Sequence, residues 1–194
     1  EGMQLAMGKL PKVKGLPIPQ IEIKETTQFP TFTRQSIKFL AAPNEYVHAL
    51  LYLPKDAKAQ NKKAAMLVLH GTGDKGKWLV DSSHANSNRA VATELAHQGY
   101  VVIAPDYPSF GDLKDHNFAT DRYESATMQA VFNHMRCVDL LQSLPEVNSQ
   151  KIGIIGHSLG GHNAMFVGAF DQRLKVIVAS CGWTPFAYYN AGKD

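Results

Sequence analysis

The stretch KIGIIGHSLGGHNAMFVGAF occupies residues 151–170 and decides the fold. Its first five residues form a short apolar run that is typical of a buried strand, and Leu159–Phe170 has the length and composition of a helix. The five residues Gly156-His157-Ser158-Leu159-Gly160 leave no room for a loop between them, so the chain must turn sharply from strand into helix at Ser158. A strand that feeds directly into a helix predicts an α/β sheet.

The G-x-S-x-G spacing around Ser158 carries a chemical prediction. Small residues are needed two positions before and after the serine, because a side chain there would collide with the neighbouring strand or helix. A strained turn of this kind pushes the hydroxyl into solvent, as a nucleophile requires. The first N–H groups of the following helix, above all that of Leu159, face the oxygen that becomes negative when a carbonyl is attacked. The alternative is a glycine-rich turn with a bystander serine, and the strand–helix context favours the nucleophile.

A second oxyanion donor is expected from His70-Gly71-Thr72-Gly73, which follows the apolar run AAMLVL. We call these four residues the oxyanion loop. The backbone N–H of Thr72 is the best candidate, since the flanking glycines allow a close approach to Ser158. The alternative is a flexible surface loop after a strand.

Apolar runs of strand length alternate with helical periods along the rest of the chain. The first two predicted strands form an antiparallel hairpin around Pro43-Asn44-Glu45, and the others have the continuous apolar character of strands buried on both faces. This alternation predicts a mostly parallel sheet with helices on both faces. The predicted strands are Gln35–Leu40, Tyr46–Leu53, Ala64–Leu69, Tyr100–Ala104, Lys151–Ile155 and Leu174–Ser180, and the predicted helices are Asn86–Gln98, residues 121–144 and Leu159–Phe170.

Residues 1–31 contain four prolines among mixed polar and apolar residues. Because proline neither continues a helix nor donates to a central strand, this segment is predicted to be an extended arm that lies over the domain. Residues 32–194 are predicted to form one α/β domain.

Composition excludes several classes of protein. The 20 basic and 17 acidic residues are scattered, so a nucleic-acid partner is not expected. No apolar stretch approaches the roughly 20 residues that span a bilayer, and no membrane association is expected.

The two cysteines, Cys137 and Cys181, do not make a disulfide framework and are expected to be buried thiols. The chain begins at Glu1 without a signal peptide, which leaves the compartment open, with an exported or periplasmic location slightly favoured over a cytoplasmic one.

The oxyanion loop, the segment Ala104-Pro105-Asp106-Tyr107-Pro108 and the turn that runs from Gly156 to His162 occur in an order that resembles the α/β-hydrolase superfamily. Within it, the set is similar to the dienelactone-hydrolase and acetylxylan-esterase branch, over roughly residues 33–182. The resemblance implies a Ser-His-Asp/Glu triad that needs no cofactor and no metal. Ser158 would attack an ester carbonyl to form an acyl-enzyme, while Thr72 and Leu159 hold the oxyanion.

The rest of the triad departs from this pattern. The superfamily carries the acid in a loop after a later strand, usually the seventh, and the histidine after the eighth, whereas the six predicted strands correspond to its first six. All eight histidines precede or lie within the helix that follows Ser158. His84 and His116 fall in loops on the side where substrates bind, and Asp194 could serve as an acid after the sixth strand; a surface or structural role is the alternative for each. His70, His157 and His162 are expected to be structural.

The fold is therefore expected to be truncated after strand six, with Leu174–Ser180 left as an unpaired apolar edge of a kind that natural proteins cover. The C-terminal remainder of the same protein is an expected partner.

The expected substrate is a small carboxylic ester, with acetylated carbohydrate as a candidate. Five aromatic residues follow predicted strands and are candidates for a substrate wall, with ordinary packing as the alternative: Trp78, Tyr107, Phe110, Trp183 and Phe186. A prolyl-oligopeptidase-like peptidase and a non-catalytic binding module are the alternative functions.

Overall fold

The computed structural model describes residues 2–12, 15–84, 89–120 and 122–184. Within these ranges the chain forms four α-helices and seven strands, joined by loops and three short 3₁₀ turns. The strands are β1 (Glu22–Gln28), β2 (Phe32–Ala42), β3 (Glu45–Pro54), β4 (Lys63–Leu69), β5 (Val101–Pro105), β6 (Val147–His157) and β7 (Leu174–Ser180), and the helices are α1 (Gly2–Met7), α2 (Val91–His97), α3 (Ala126–Ser143) and α4 (Leu159–Phe170).

All seven strands belong to one sheet with the order β1-β2-β3-β5-β4-β6-β7. β4, β5, β6 and β7 pair in parallel, whereas the pairs β1·β2, β2·β3 and β3·β5 are antiparallel. β2 therefore points the same way as the four parallel strands. The predicted α/β fold with a mostly parallel sheet is confirmed.

The sheet is covered on both faces because side chains alternate along each strand. In β5, Val102 and Ala104 belong to a core cluster that includes α2, whereas Val101 and Ile103 belong to the larger cluster with α3 and α4. These two clusters form the layers on either side of the sheet.

The predicted elements are present, but several strands and helices have different bounds. α3 begins at Ala126, because the Ser125 hydroxyl accepts a hydrogen bond from the backbone N–H of Met128 and caps the helix there. α2 begins at Val91, and residues 86–88 of the predicted helix lie outside the described residues. Gly99 has φ 88° just after α2, as expected of a glycine that ends a helix.

The predicted extended arm over residues 1–31 is wrong in two segments. Gly2–Met7 is helical, and Glu22–Gln28 is a strand that pairs with β2 and extends the sheet. The pairing of β1 needs only backbone groups, so its mostly polar sequence, EIKETTQ, is compatible with an exposed edge strand. The sheet consequently crosses the boundary predicted at residue 31.

β7 has the predicted bounds, but it is not buried. Among the described residues it is the edge strand opposite β1, paired only with β6, and α4 packs on it. Val176, Ile177 and Val178 are 54%, 45% and 40% exposed, so the expectation of a strand buried on both faces is wrong here. The apolar edge predicted from the sequence is present.

The remaining composition-based expectations concern thiols and membranes. Cys137 is buried as expected, but Cys181 is exposed and follows the end of β7. In the part of the chain that the structure describes, no helix has the length and apolar character needed to cross a bilayer.

Candidate active site

The turn after β6 places Ser158 in a strained conformation. Its backbone has φ 56° and ψ −119°, in a region that residues with a side chain rarely adopt, and it is the residue between the last position of β6 and the first of α4. The Ser158 side chain is exposed. Strain at a sharp strand–helix turn with an exposed hydroxyl is the geometry that the G-x-S-x-G spacing predicts.

Both flanking glycines lie where a side chain has no room. A Cβ atom on Gly156 would lie 2.8 Å from the backbone nitrogen of Gly161. A Cβ atom on Gly160 would lie 2.7 Å from the carbonyl carbon of Leu69 and 2.8 Å from the carbonyl oxygen of His70. The close contact at Gly160 brings α4 against the end of β4 and the start of the oxyanion loop.

The end of β7 supports the same turn from the other side. The Ser158 N–H donates a 2.8 Å hydrogen bond to the carbonyl oxygen of Ser180, and the Ser180 hydroxyl lies 3.0 Å from Nδ1 of His157. The N–H of His162 donates to the carbonyl oxygen of Ser158 at 2.9 Å. The turn is therefore held by hydrogen bonds to both β7 and α4.

The oxyanion loop lies beside Ser158 because β4 and β6 are parallel neighbours whose carboxyl ends meet. A Cβ atom on Gly71 would lie 3.7 Å from Cβ of Ser158 and 3.4 Å from the carbonyl oxygen of His157, so the loop and the turn are in contact. Thr72, the next residue, is exposed, and Leu159 is the first residue of α4. The residue before Thr72 thus lies against the turn that carries Ser158, and Leu159 directly follows Ser158.

His70 is a buried residue that fixes this loop. Its Nδ1 lies 2.7 Å from the carbonyl oxygen of Gly71, and its Nε2 accepts a 3.3 Å hydrogen bond from the backbone N–H of Tyr107. Nε2 therefore carries no proton, and Nδ1–H donates to Gly71. Burial lowers the pKa of His70, which keeps the ring neutral. The structural role expected for His70 matches this geometry.

No histidine side chain among the described residues is hydrogen-bonded to Ser158. His84, a loop candidate, lies 2.8 Å from the Ser83 hydroxyl and packs on Trp78. His116, the other loop candidate, packs against Phe118 with ring centroids 4.8 Å apart. The remaining histidines have other partners: His48 contacts Asp112, His97 contacts Thr31, His134 contacts Tyr107 and His162 contacts Phe166. Asp194 lies outside the described residues.

The predicted substrate wall is not formed as one surface. Tyr107 is only 3% exposed, so its ring belongs to the core rather than to a substrate site. Phe110 is half-buried against His70 at 5.8 Å between ring centroids. Trp78 packs with the α2 side of the sheet, where the guanidinium of Arg34 lies 4.9 Å from its ring. Trp183 is 72% exposed, and Phe186 lies outside the described residues.

Sequence reasoning missed a buried ion pair next to the oxyanion loop. Nζ of Lys77 lies 2.5 Å from Oδ2 of Asp106, and both side chains are almost fully buried. Oδ1 of Asp106 also accepts the backbone N–H of Lys77 at 2.7 Å, and Oδ2 accepts that of Asp112 at 3.0 Å. The pair ties the segment after the oxyanion loop to the loop after β5. The available signal was an aspartate directly after a buried strand; nothing in the sequence around Lys77 marks it as its partner.

The described residues contain no group of three or more His, Cys, Asp or Glu side chains that could hold a metal ion.

Comparison with known proteins gives concordant matches. A model of the alpha/beta hydrolase family matches residues 66–192, which include the oxyanion loop and Ser158. The Bacillus subtilis protein YtaP, which is named as a hydrolase, is 26% identical over 186 residues, which cover 90% of this chain and 60% of YtaP. Dipeptidyl-peptidase 5 of Porphyromonas gingivalis is 32% identical over 92 residues, 45% of this chain and 13% of the peptidase. A Bacteroides fragilis structure named as an acetyl xylan esterase superposes with a TM-score of 0.69 at 17% identity, covering 89% of this chain and 50% of that one.

Each of these relatives is longer than this chain, so each match concerns only part of the relative. The chain spans 60% of YtaP and about half of the esterase structure.

Proposed function

The chain belongs to the alpha/beta hydrolase family, and we propose that it is the part of a serine hydrolase that carries the nucleophile, Ser158, and cleaves carboxylic esters. The observation that carries this proposal is the backbone of Ser158, which is held at φ 56° and ψ −119° between β6 and α4 with an exposed side chain. Such strain is retained where function uses it. Here it presents a hydroxyl at the edge of the sheet where ligands bind in α/β folds.

In the proposed reaction, the Ser158 hydroxyl attacks the ester carbonyl, and the carbonyl oxygen becomes negatively charged. The N–H groups of Leu159 and Thr72 hold this oxygen, supported by the first turn of α4. Collapse of the intermediate breaks the ester C–O bond, the leaving oxygen takes up the proton that was removed from Ser158 and departs as the alcohol, and the acyl group stays on Ser158. Water then attacks the acyl-enzyme, which releases the carboxylic acid and restores the hydroxyl.

A base is needed to remove the hydroxyl proton, because a serine without one is a weak nucleophile. No described histidine side chain is hydrogen-bonded to Ser158, so we propose that the triad histidine and acid are supplied by the C-terminal remainder of the same protein. The exposed apolar edge of β7 supports this proposal, since a further strand paired there would cover Val176 and Val178. The lengths of the relatives, of which this chain spans 50–60%, support it as well.

The proposed substrate class is a small carboxylic ester, with acetylated carbohydrate as the first candidate. The structural likeness to a protein named as an acetyl xylan esterase supports this choice. Phe110 is retained as a proposed substrate contact, since its ring is half-buried beside the oxyanion loop. An exported or periplasmic location remains a prediction.

A peptidase is the second candidate, favoured by the identity to dipeptidyl-peptidase 5. That match covers less than half of this chain, whereas the match to YtaP covers 90% of it. A non-catalytic binding module is the alternative if Ser158 proves unreactive in the intact protein.

The test compares the 194-residue chain with the intact protein in hydrolysis of p-nitrophenyl acetate, acetylated xylan and a dipeptide p-nitroanilide. We expect the intact protein to cleave the esters and to lose at least about 10³-fold in kcat on Ser158→Ala. Ser36→Ala, on the far strand β2, is the control and should retain activity. Preferential cleavage of the anilide would favour the peptidase. Ester hydrolysis by the 194-residue chain alone would contradict the proposed source of the base, and unaltered hydrolysis by Ser158→Ala would contradict the nucleophile.

A further inference from the structure

We propose that Tyr107 and His134 are positioning residues that act through His70 to orient the N–H of Thr72 in the oxyanion hole. This inference rests on the proposed function, since it assumes that Thr72 donates to the oxyanion. It assigns a role to two buried residues whose side chains are not hydrogen-bonded to Ser158.

The first step is the planarity of the peptide that joins Gly71 to Thr72. The carbonyl oxygen of Gly71 and the N–H of Thr72 belong to the same rigid unit and point in opposite directions in a trans peptide. The structure has no cis peptide bond among its described residues. Because Nδ1 of His70 holds the Gly71 oxygen at 2.7 Å, the Thr72 N–H must point away from His70.

The second step is the orientation of the His70 ring itself. A ring that rotated by half a turn, or that shifted its proton to Nε2, would no longer donate to Gly71. The backbone N–H of Tyr107 prevents both changes, because it donates to Nε2 at 3.3 Å and would face a second donor if Nε2 were protonated. The Tyr107 ring adds a steric restraint, since it packs edge-to-face on His70 with centroids 4.7 Å apart and an interplanar angle of 87°.

The third step is the support of Tyr107 by α3. The ring of His134 packs edge-to-face on Tyr107 with centroids 4.9 Å apart and an interplanar angle of 89°. The three rings therefore form a continuous series of edge-to-face contacts from α3 to the oxyanion loop. Geometry of this kind is the preferred arrangement of aromatic pairs.

A contribution to stability does not explain why two of these rings carry buried polar atoms. The Tyr107 hydroxyl and both ring nitrogens of His134 are buried and have no hydrogen-bond partner among the described residues. Buried polar groups without partners are destabilising relative to apolar groups of the same shape. Exceptions of this kind are expected near functional sites, and here they adjoin the residue that orients the oxyanion loop. The rings, rather than their polar atoms, supply the contacts that hold His70.

The test uses substitutions that separate ring shape from polarity in the intact protein. Tyr107→Phe keeps the ring, the backbone donor and the contact with His70, so kcat and KM should stay close to those of the wild type. Tyr107→Leu removes the edge-to-face restraint, and we expect kcat to fall by about tenfold to a hundredfold with KM nearly unchanged, because an oxyanion donor acts mainly in the transition state. His134→Leu should lower kcat by about threefold to tenfold in the same way.

A second readout is independent of catalysis. Nitrogen-15 NMR of the His70 ring should show a single Nδ1-protonated tautomer in the wild type and in Tyr107→Phe. In Tyr107→Leu the backbone N–H remains, but loss of the ring contact lets His70 turn away from it, and we expect a mixture of tautomers. Should Tyr107→Leu fail to fold, His134→Leu carries the same comparison with a smaller change. The inference is overturned if the leucine variants keep the wild-type kcat, or if kcat falls while the His70 tautomer is unchanged. A failure of the proposed function is distinguished because Ser158→Ala would then leave hydrolysis intact.

Discussion

The backbone N–H of Ser158 donates a 2.8 Å hydrogen bond to the carbonyl oxygen of Ser180, the last residue of β7. A residue at the exposed edge of the sheet thus supports the strained turn at the candidate nucleophile. The geometry of the turn depends on three elements that meet there, the ends of β4, β6 and β7.

Substitution of Gly160 tests the contact between α4 and β4. A Cβ atom on Gly160 would overlap the backbone of Leu69 and His70, which cannot give way as a flexible side chain could. We expect Gly160→Ala to lower the free energy of unfolding by more than about 3 kcal/mol, measured by urea denaturation. Gly99→Ala is the matched control, because its φ is 88° but nothing lies within 4 Å, and it should cost about 1–2 kcal/mol. Equal losses in the two variants would contradict the contact.

The buried ion pair next to the oxyanion loop predicts a large stability effect. Asp106→Asn would leave the buried ammonium group of Lys77 with only the more exposed carboxylate of Asp112, at 3.2 Å, and we expect a loss of about 3–5 kcal/mol in the free energy of unfolding. Glu22→Gln makes the same chemical change at an exposed pair with Lys38 and should cost less than about 1 kcal/mol. If both variants unfold at the same urea concentration, the pair does not hold the two loops together.

The aromatic residues predicted to line a substrate wall should separate into two classes. Phe110→Ala removes a half-buried ring beside the oxyanion loop, and we expect KM for ester substrates to rise by about threefold or more. Trp78→Ala removes a ring packed on Arg34 at the other face of the sheet, so its effect should be on thermal stability with KM unchanged. Steady-state kinetics and thermal denaturation of both variants provide the comparison, and a rise in KM confined to Trp78→Ala would contradict the assignment.

Burial of His134 predicts a pH-dependent stability. Desolvation lowers its pKa from 6.5 to about 3, so the unfolded chain binds a proton at pH values where the folded protein does not. This contribution to stability is fully present above about pH 6.5 and is lost as the pH falls toward about 3, at a slope of about 1.4 kcal/mol per pH unit. The denaturation midpoint should therefore decline less steeply between pH 6.5 and 4 in His134→Phe than in the wild type. Parallel pH profiles would contradict this account.

Much of the fold could be predicted because its central strands are apolar and its helices are periodic. β1 was not predicted because EIKETTQ has no buried face, and its strand pairing with β2 is made by backbone groups that the sequence pattern does not reveal. The exposure of β7 could not be read from its apolar sequence, since exposure depends on what pairs with the edge and not on the strand itself.

The sharp turn at Ser158 and its contact with the loop after β4 could be predicted because these residues directly follow the ends of parallel strands. The ion pair of Lys77 with Asp106 joins residues 29 positions apart, and no local pattern encodes such a contact. The burial of Tyr107 has the same origin, since its ring is enclosed by His70 and His134, which come from β4's end and from α3.

The most direct test of the central claim is the mass of the intact protein after reaction with a fluorophosphonate probe, followed by peptide mapping. We predict one adduct per chain, located on Ser158, and none in Ser158→Ala. An unmodified Ser158 in a protein that hydrolyses esters, or an adduct at another residue, would contradict the assignment of Ser158 as the nucleophile.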